Sequence, residues 1–526
     1  MMLPRHGKLK FVSFWVVVIG ILGAAGAWYL YSNSPQRAAQ YAAEAENYRQ
    51  QGNFPMAQAA IMKAIAIQDD VTAYYIIKGR ISFQSGSTAS AFKAYDDALA
   101  LAPGNQEALL AVAQIGLQIG RMQQSRDATR RLLMTNPNFT EALLVRGLHS
   151  QIRRRYDEAL ADADLILENN PRHEGGTILK VRASILSGKR EEGRAILEEF
   201  VANNPGSTTL AATELEVYRE LRDEAGMASA FEKMRGFLPD NIPLRVDHAN
   251  FLLKTGKAEE AIEILTTDLA KPELRSRELT SIIQLVENYA VEEALLPHID
   301  LIEAEGNEDA RFEVAKLLVE AGHKQAAVRL ARNLPPNQVI AIRSLVEADN
   351  GQYAKAMQLA EMVLEEDGSN CFLLYVRARA EIGLGKLRSA VRSAQESASE
   401  CPTLRYSWIS LARAYDGLDM PDQVERAFAQ GTSANPQDPP LARAYAEWLL
   451  KKGRDREAVA AYRRLVRAMP AHSPSWEAYQ AVCERTNAGC ENIAARGLEN
   501  SRTIFGIDPV PGEKVPNGLF GRFLIR

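Results

Sequence analysis

The sequence predicts an all-α solenoid built from a repeated pair of helices, and three observations predict it. Five prolines, Pro103, Pro137, Pro171, Pro205 and Pro239, fall 34 residues apart, and Pro402, Pro436 and Pro470 repeat the interval near the other end. A fixed period of that length marks one supersecondary unit copied along the chain, and 34 residues suits a helix–turn–helix. Apolar residues recur at helical spacing in stretches such as 108–113 and 261–265, and no segment inside the array alternates at period 2 for the length of a strand. The composition, 46% hydrophobic and 24% charged, is that of an ordinary folded chain. A chain of 526 residues normally divides into domains, but a solenoid grows through contacts to its nearest neighbours and escapes that limit.

The front of the chain reads differently. Residues 1–10 carry Arg5, Lys8 and Lys10, and residues 11–31 contain no charge. As a helix this uncharged stretch spans about 31 Å, the thickness of a bilayer core. Positive charge on its N-terminal side predicts a cytoplasmic N-terminus and an exported array, and Trp28, Tyr29 and Tyr31 suit the far headgroup belt. Ala25-Gly26-Ala27 also satisfies a signal-peptide cleavage pattern, so secretion after cleavage is the alternative. The segment holds no cysteine, which excludes a lipoprotein anchor. Residues 32–37 form a linker.

The repeats occupy 38–275 as seven units of 34 residues. Each proline stands where a second helix must stop, because it cannot continue a helix and restricts the residue before it. In unit 72–105, Tyr75, Gly79, Gly86, Ala91, Tyr95 and Ala98 hold positions 4, 8, 15, 20, 24 and 27. This pattern resembles the tetratricopeptide repeat, in which small residues let two helices cross closely beside a large one and a proline closes the unit. The same frame fits 38–71, 106–139, 140–173, 174–207, 208–241 and 242–275. Residues 276–336 break the period: a 32-residue unit has Asn288-Tyr289-Ala290 in place of a turn glycine, and a shorter one ends at Pro335-Pro336. Residues 337–506 return to register and close on a divergent unit that keeps Trp476, for about 13–14 units in all. In the tail, 507–526, the run Gly518–Arg526 is basic and apolar and reads as a cap or a docking peptide.

Four cysteines fall late in the chain. Cys371 and Cys401 are positions 1 and 31 of one unit, at the same end of an antiparallel pair, and Cys483 and Cys490 flank a turn. Two bridges inside repeats suit an oxidising compartment, and the alternative is four buried thiols. No CxxC motif or nearby histidine suggests zinc. The seven histidines are scattered over the chain, and no HExxH pair, GxSxG elbow or P-loop occurs. The sequence therefore predicts no catalytic site, no metal and no cofactor.

Recognition is expected on exposed surfaces. The resemblance implies protein partners in a concave groove lined by positions 2, 5, 9 and 12 of each first helix, here Phe372, Tyr375, Arg379, Tyr406, Arg413 and Arg443. The lysine–asparagine clamp of chaperone-binding members is absent, since positions 5 and 9 of the first repeat are Ala42 and Glu46. Residues 121–155 hold eight arginines against Asp127 and Glu141. A basic face at Arg130, Arg131, Arg153, Arg154 and Arg155 suits an anionic polysaccharide or another acidic partner, and the alternative is a solvated face. Nucleic acid is disfavoured by export and by the lack of interleaved aromatics. One anchor followed by many such repeats resembles bacterial envelope proteins of exopolysaccharide export. The expectation is a single-pass inner-membrane scaffold with periplasmic repeats. A cytochrome c maturation type of factor, or direct polysaccharide binding, is the alternative.

Overall fold

The computed structural model describes residues 34–503 apart from Pro205. The expected membrane span 11–31, the cytoplasmic segment 1–10, linker residues 32–33 and the tail 507–526 lie outside the described residues, and the rest of the expected linker is instead the cap Ser34 and the start of the first helix at Pro35. The described residues form 28 α-helices and one 3-10 helix, with no strand among them. No helix among them is long and apolar enough to cross a membrane. The chain divides into two compact units at Thr213/Glu214.

The first unit stacks five helix pairs: α1 (Pro35–Gln50) with α2 (Phe54–Ile67), α3 (Thr72–Gln84) with α4 (Thr88–Leu101), α5 (Gln106–Gln118) with α6 (Met122–Thr135), α7 (Thr140–Ile152) with α8 (Tyr156–Asn169), and α9 (Glu174–Leu186) with α10 (Arg190–Asn203). Helices α3, α5, α7 and α9 start 34 residues apart. Pro103, Pro137 and Pro171 each stand two residues beyond the second helix of a pair, after its free carbonyls have been met. Within a pair the turn needs one residue in the left-handed region. Gly52, Gly86, Gly120 and Gly188 supply it with φ between 74° and 92°. At the fourth turn Arg154 takes that conformation with φ 59°.

Close approach of the paired helices explains the small residues. A Cβ at Gly79 would stand 2.7 Å from the Tyr95 ring, so the glycine at position 8 exists to admit the large residue at position 24. The core runs through Ala91, Ala98, Val112, Leu143 and Ile166, all essentially buried. Burial of a leucine or isoleucine here stabilises by about 1.5–3 kcal/mol.

Helix α11 (Thr208–Leu221) crosses the division. The second unit continues with α12 (Glu224–Phe237), α13 (Ile242–Lys254), α14 (Ala258–Leu269) and α15 (Ser276–Tyr289). The period then breaks for a local reason. Ala290 holds the left-handed turn (φ 53°), and a 3-10 segment at Glu292–His298 containing Pro297 replaces the start of a second helix. Short α16 (Ile299–Glu305), α17 (Glu308–Glu320) and α18 (Lys324–Ala331) follow. Pro335-Pro336 does more than stop the chain: Pro335 is the N-cap and Pro336 the first residue of α19 (Pro336–Asp349). Regular pairing resumes with α20 (Tyr353–Leu364), α21 (Cys371–Gly383), α22 (Leu387–Glu400), α23 (Arg405–Gly417), α24 (Pro421–Ala434), α25 (Pro439–Lys451), α26 (Asp455–Ala468), α27 (Ser473–Thr486) and α28 (Glu491–Thr503). The last pair keeps the small-against-large packing that its sequence hides, since Trp476 lies against Gly497.

Both cysteine pairs are bridged. Cys371 at the start of α21 meets Cys401 just past α22 (Cα–Cα 5.9 Å), and Cys483 meets Cys490 across the last turn (Cα–Cα 5.5 Å).

Candidate functional site

In the second unit part of the inner face is occupied by the chain itself. Helix α15 reaches the N-terminal ends of α23 and α27, more than a hundred residues away. Arg405 pairs with Glu287 and, at 3.2 Å, with Asp438. Both carboxyl pKa values are pushed up by burial, while Arg405 pulls them down. Burial opposes the charge on Arg405, but Asp438 and Glu287 outweigh it and hold its pKa above the usual value. His472 donates from Nε2 to the Asn288 carbonyl at 3.0 Å and accepts from Ser475 at Nδ1 (2.7 Å), and the Tyr289 ring stands edge-on to it. Lys254 donates to the Ser501 carbonyl.

Burial and pairing correct part of the expected groove. Phe372 and Tyr375 are 8% and 3% exposed and line no open surface. Phe372 packs against Phe312, and the Tyr375 hydroxyl donates to Glu320 at 2.5 Å. Arg379 is held between Glu320 (3.0 Å) and Asp349 (2.6 Å). Tyr406 is half-buried and stacks on Tyr375. Arg413 and Arg443 are exposed. The space left between these side chains is a cavity of about 140 Å³ lined by Glu287, Glu292, Glu320, Arg405 and Tyr406. A second, of about 280 Å³, lies among α24, α25 and α26. Both fall short of the volumes typical of small-molecule sites. No cluster of three metal-ligating side chains occurs among the described residues.

The expected basic face also divides. All five arginines are exposed. Arg130 and Arg131 sit late in α6, where Arg130 pairs with Asp127 at 3.1 Å and Arg131 bonds the Pro103 carbonyl. Arg153, Arg154 and Arg155 form the turn between α7 and α8, so they lie at the other end of the helix pair. Arg155 pairs with Glu158 at 3.0 Å. The structure sets Arg121 and Arg126, at the start of α6, on the same side as that turn.

The histidines serve packing and capping. His173 accepts from the Gly176 amide and caps α9. His149 bonds Ser125 at 2.8 Å, and His248 stacks on Phe231 with centroids 4.6 Å apart. Burial lowers the pKa values of His149, His248 and His472 to about 4.

An open inner face survives in the first unit, on residues that the sequence reading passed over. Phe83, at position 12 of its repeat, is 52% exposed. Leu110, Leu117, Leu144 and Leu148 hold positions 5, 12, 5 and 9 of the next two repeats and are only partly covered by the core. The Arg80 guanidinium grips Glu107 of the following repeat through two bonds of 2.7 and 2.5 Å. The signal was available: the position rule applied to the last repeats points to these residues when applied to the first ones.

Comparison with known proteins places part of this arrangement. Residues 82–152 match the sequence model of the tetratricopeptide repeat. Cellulose synthase operon protein C of Pseudomonas fluorescens (strain SBW25) is 26% identical over 410 residues, 68% of this chain and 29% of that protein. The alignment thus spans under a third of that relative. Among solved structures, a tetratricopeptide repeat protein from Parabacteroides merdae ATCC 43184 is 20% identical with a TM-score of 0.39, over 50% of this chain and 99% of its own. PilF of Pseudomonas aeruginosa is 15% identical with a TM-score of 0.32, over 39% of this chain and 95% of its own. These are distant likenesses. The described residues form an all-α array, and residues 82–152 within it are of tetratricopeptide type, a repeat that typically serves as a non-catalytic scaffold for protein partners.

Proposed function

We propose that the chain is a non-catalytic, protein-binding scaffold, anchored in the inner membrane by residues 11–31 with its repeats in the periplasm. Its task is to organise an extracytoplasmic envelope process such as exopolysaccharide assembly or export. The observation that carries the pathway is the 410-residue likeness to Cellulose synthase operon protein C. The open inner face of the first unit supports the binding role, since an exposed aromatic among half-covered leucines is the kind of anchor that protein interfaces use. The partly filled inner face of the second unit favours recognition on the first.

The test is capture of partners by the tagged full-length chain from cross-linked, solubilised membranes of the source organism. Recovery of glycosyltransferase or polymer-export proteins supports the reading. Recovery of haem-attachment proteins, or of no membrane partner, counts against it. A reporter that is active only in the cytoplasm, fused after Arg526, should stay silent; activity would overturn the topology.

A further inference from the structure

The turn edge of the first unit gathers more positive charge than its carboxylates offset. Position 16 of three consecutive repeats is Arg121, Arg155 and Lys189, each the N-cap of a second helix. Arg153 and Arg154 stand beside Arg155, and Arg126 lies one helical turn into α6. Arg121, Arg153, Arg154 and Lys189 are exposed and make no ion pair among the described residues. Arg126 bonds only the neutral Gln123, at 2.7 Å. The charges converge: after burial, Arg126 from α6 and Arg153 from the next turn together hold the His149 pKa down. The positive ends of helices α6, α8 and α10 add to the field, offset at α8 and α10 by Asp157, Glu158, Glu191 and Glu192.

The other four turns of this unit place glycine in the left-handed conformation, and the fourth turn places Arg154 there. A side chain in that region is strained relative to glycine, and the same conformation recurs at Arg222, Ala290, Asp419 and Asn487 in the second unit. Here the strained residue is the middle one of three arginines at the tip of the turn.

We propose that this edge, formed by Arg121, Arg126, Arg153, Arg154 and Lys189, is a binding surface for a linear anionic glycan. Cations recurring once per repeat along adjacent turns match a chain of regularly spaced carboxylates. A stiff glycan loses less freedom on spanning three turns than a flexible acidic peptide does. The one large apolar side chain exposed at these turns is Ile152, so the aromatic anchors of a protein interface are missing. A lipid surface fits poorly, because the chain enters α1 at Pro35, at the opposite end of the helix from the turn edge and about 24 Å away. This inference goes beyond the scaffold reading, and its failure would leave that reading standing.

The test uses the detergent-solubilised full chain, with labelled polygalacturonate as probe, polyglutamate of equal charge and phosphatidylglycerol vesicles as competitors. Wild type should retain polygalacturonate at low salt and release it as salt is raised. R121Q/R153Q/R154G/K189Q should lose at least tenfold in affinity, and R130Q/R131Q, at the other end of α6, should not. The single change Arg154→Gly should weaken binding about fivefold while raising Tm, an opposition that a merely structural arginine would not produce. Unchanged affinity in the fourfold variant, absence of binding by wild type, or tighter binding of polyglutamate or vesicles would each overturn the proposal.

Discussion

Acid should loosen the second unit through His472, and the amount follows from its surroundings. The ring is 2% exposed, donates to the Asn288 carbonyl and accepts from Ser475, with Tyr289 against its face and the positive charge of Lys254 acting on it. Burial, with Lys254, lowers its pKa from the ordinary 6.5 to about 4. As pH falls below 6.5 the unfolded chain takes up the proton before the folded one does. The stability contributed by the neutral ring is therefore complete above pH 6.5 and is lost towards pH 4. Linkage gives a loss of about 2 kcal/mol at pH 5 and about 3 kcal/mol at pH 4. His472→Gln keeps a donor for Asn288 and removes the titration. Urea unfolding of both proteins, followed by tryptophan emission from Trp408, Trp448 and Trp476 in this unit, should show the variant gaining on wild type by those amounts between pH 7 and pH 4. Acidic groups such as Glu287 and Asp438 titrate in both proteins and cancel in the difference. A stability difference that does not change with pH would refute the buried, neutral assignment.

Three further outcomes are expected. Arg405→Met should destabilise the second unit by about 3–5 kcal/mol at pH 7, because Glu287 and Asp438 are left buried without a counter-charge; E287Q/D438N added to it should recover most of the loss in the same urea titration, and no recovery would deny the pair its role. Gly79→Ala should cost about 1–3 kcal/mol through collision with Tyr95, and Y95L in the same chain should relieve it; additive losses in thermal melts would show that the two do not touch. Removing Cys371–Cys401 by paired serine substitution should cost about 3–4 kcal/mol, and removing Cys483–Cys490 about 2–3 kcal/mol, on loop-closure grounds; four alkylatable thiols in native material would contradict both bridges.

The repeat was legible because its determinants are local. Proline fixes where a helix stops, a left-handed turn residue fixes where the pair reverses, and a small residue facing a large one fixes how closely they pack. Arg154 shows the limit of that reading, since a sequence search for turn glycine passes over an arginine carrying the same backbone conformation. Phe372, Tyr375 and Arg379 were misassigned to an open groove for a different reason. Positions 2, 5, 9 and 12 identify the inner face of each first helix, but whether that face stays open depends on how the shortened repeats turn the array. The break at Ala290 and Pro297 is visible in the sequence, yet the contacts it allows, from Glu287 to Arg405 and from Asn288 to His472, join residues with no local signal. The basic stretch failed through counting charge along the chain instead of by position in the repeat. Arg121 and Arg155 are 34 residues apart and share a turn edge, whereas Arg131, nearer in sequence to Arg121, lies well along α6 from it.

The central claim is that partners are recognised on the open inner face of the first unit, because the second unit fills part of its own. A photo-cross-linking amino acid placed at Phe83 or at Arg413, two exposed inner-helix positions in the two units, tests it in intact cells. The account predicts adducts with partner proteins from position 83 and none from position 413. Adducts from position 413 with none from position 83 would contradict it.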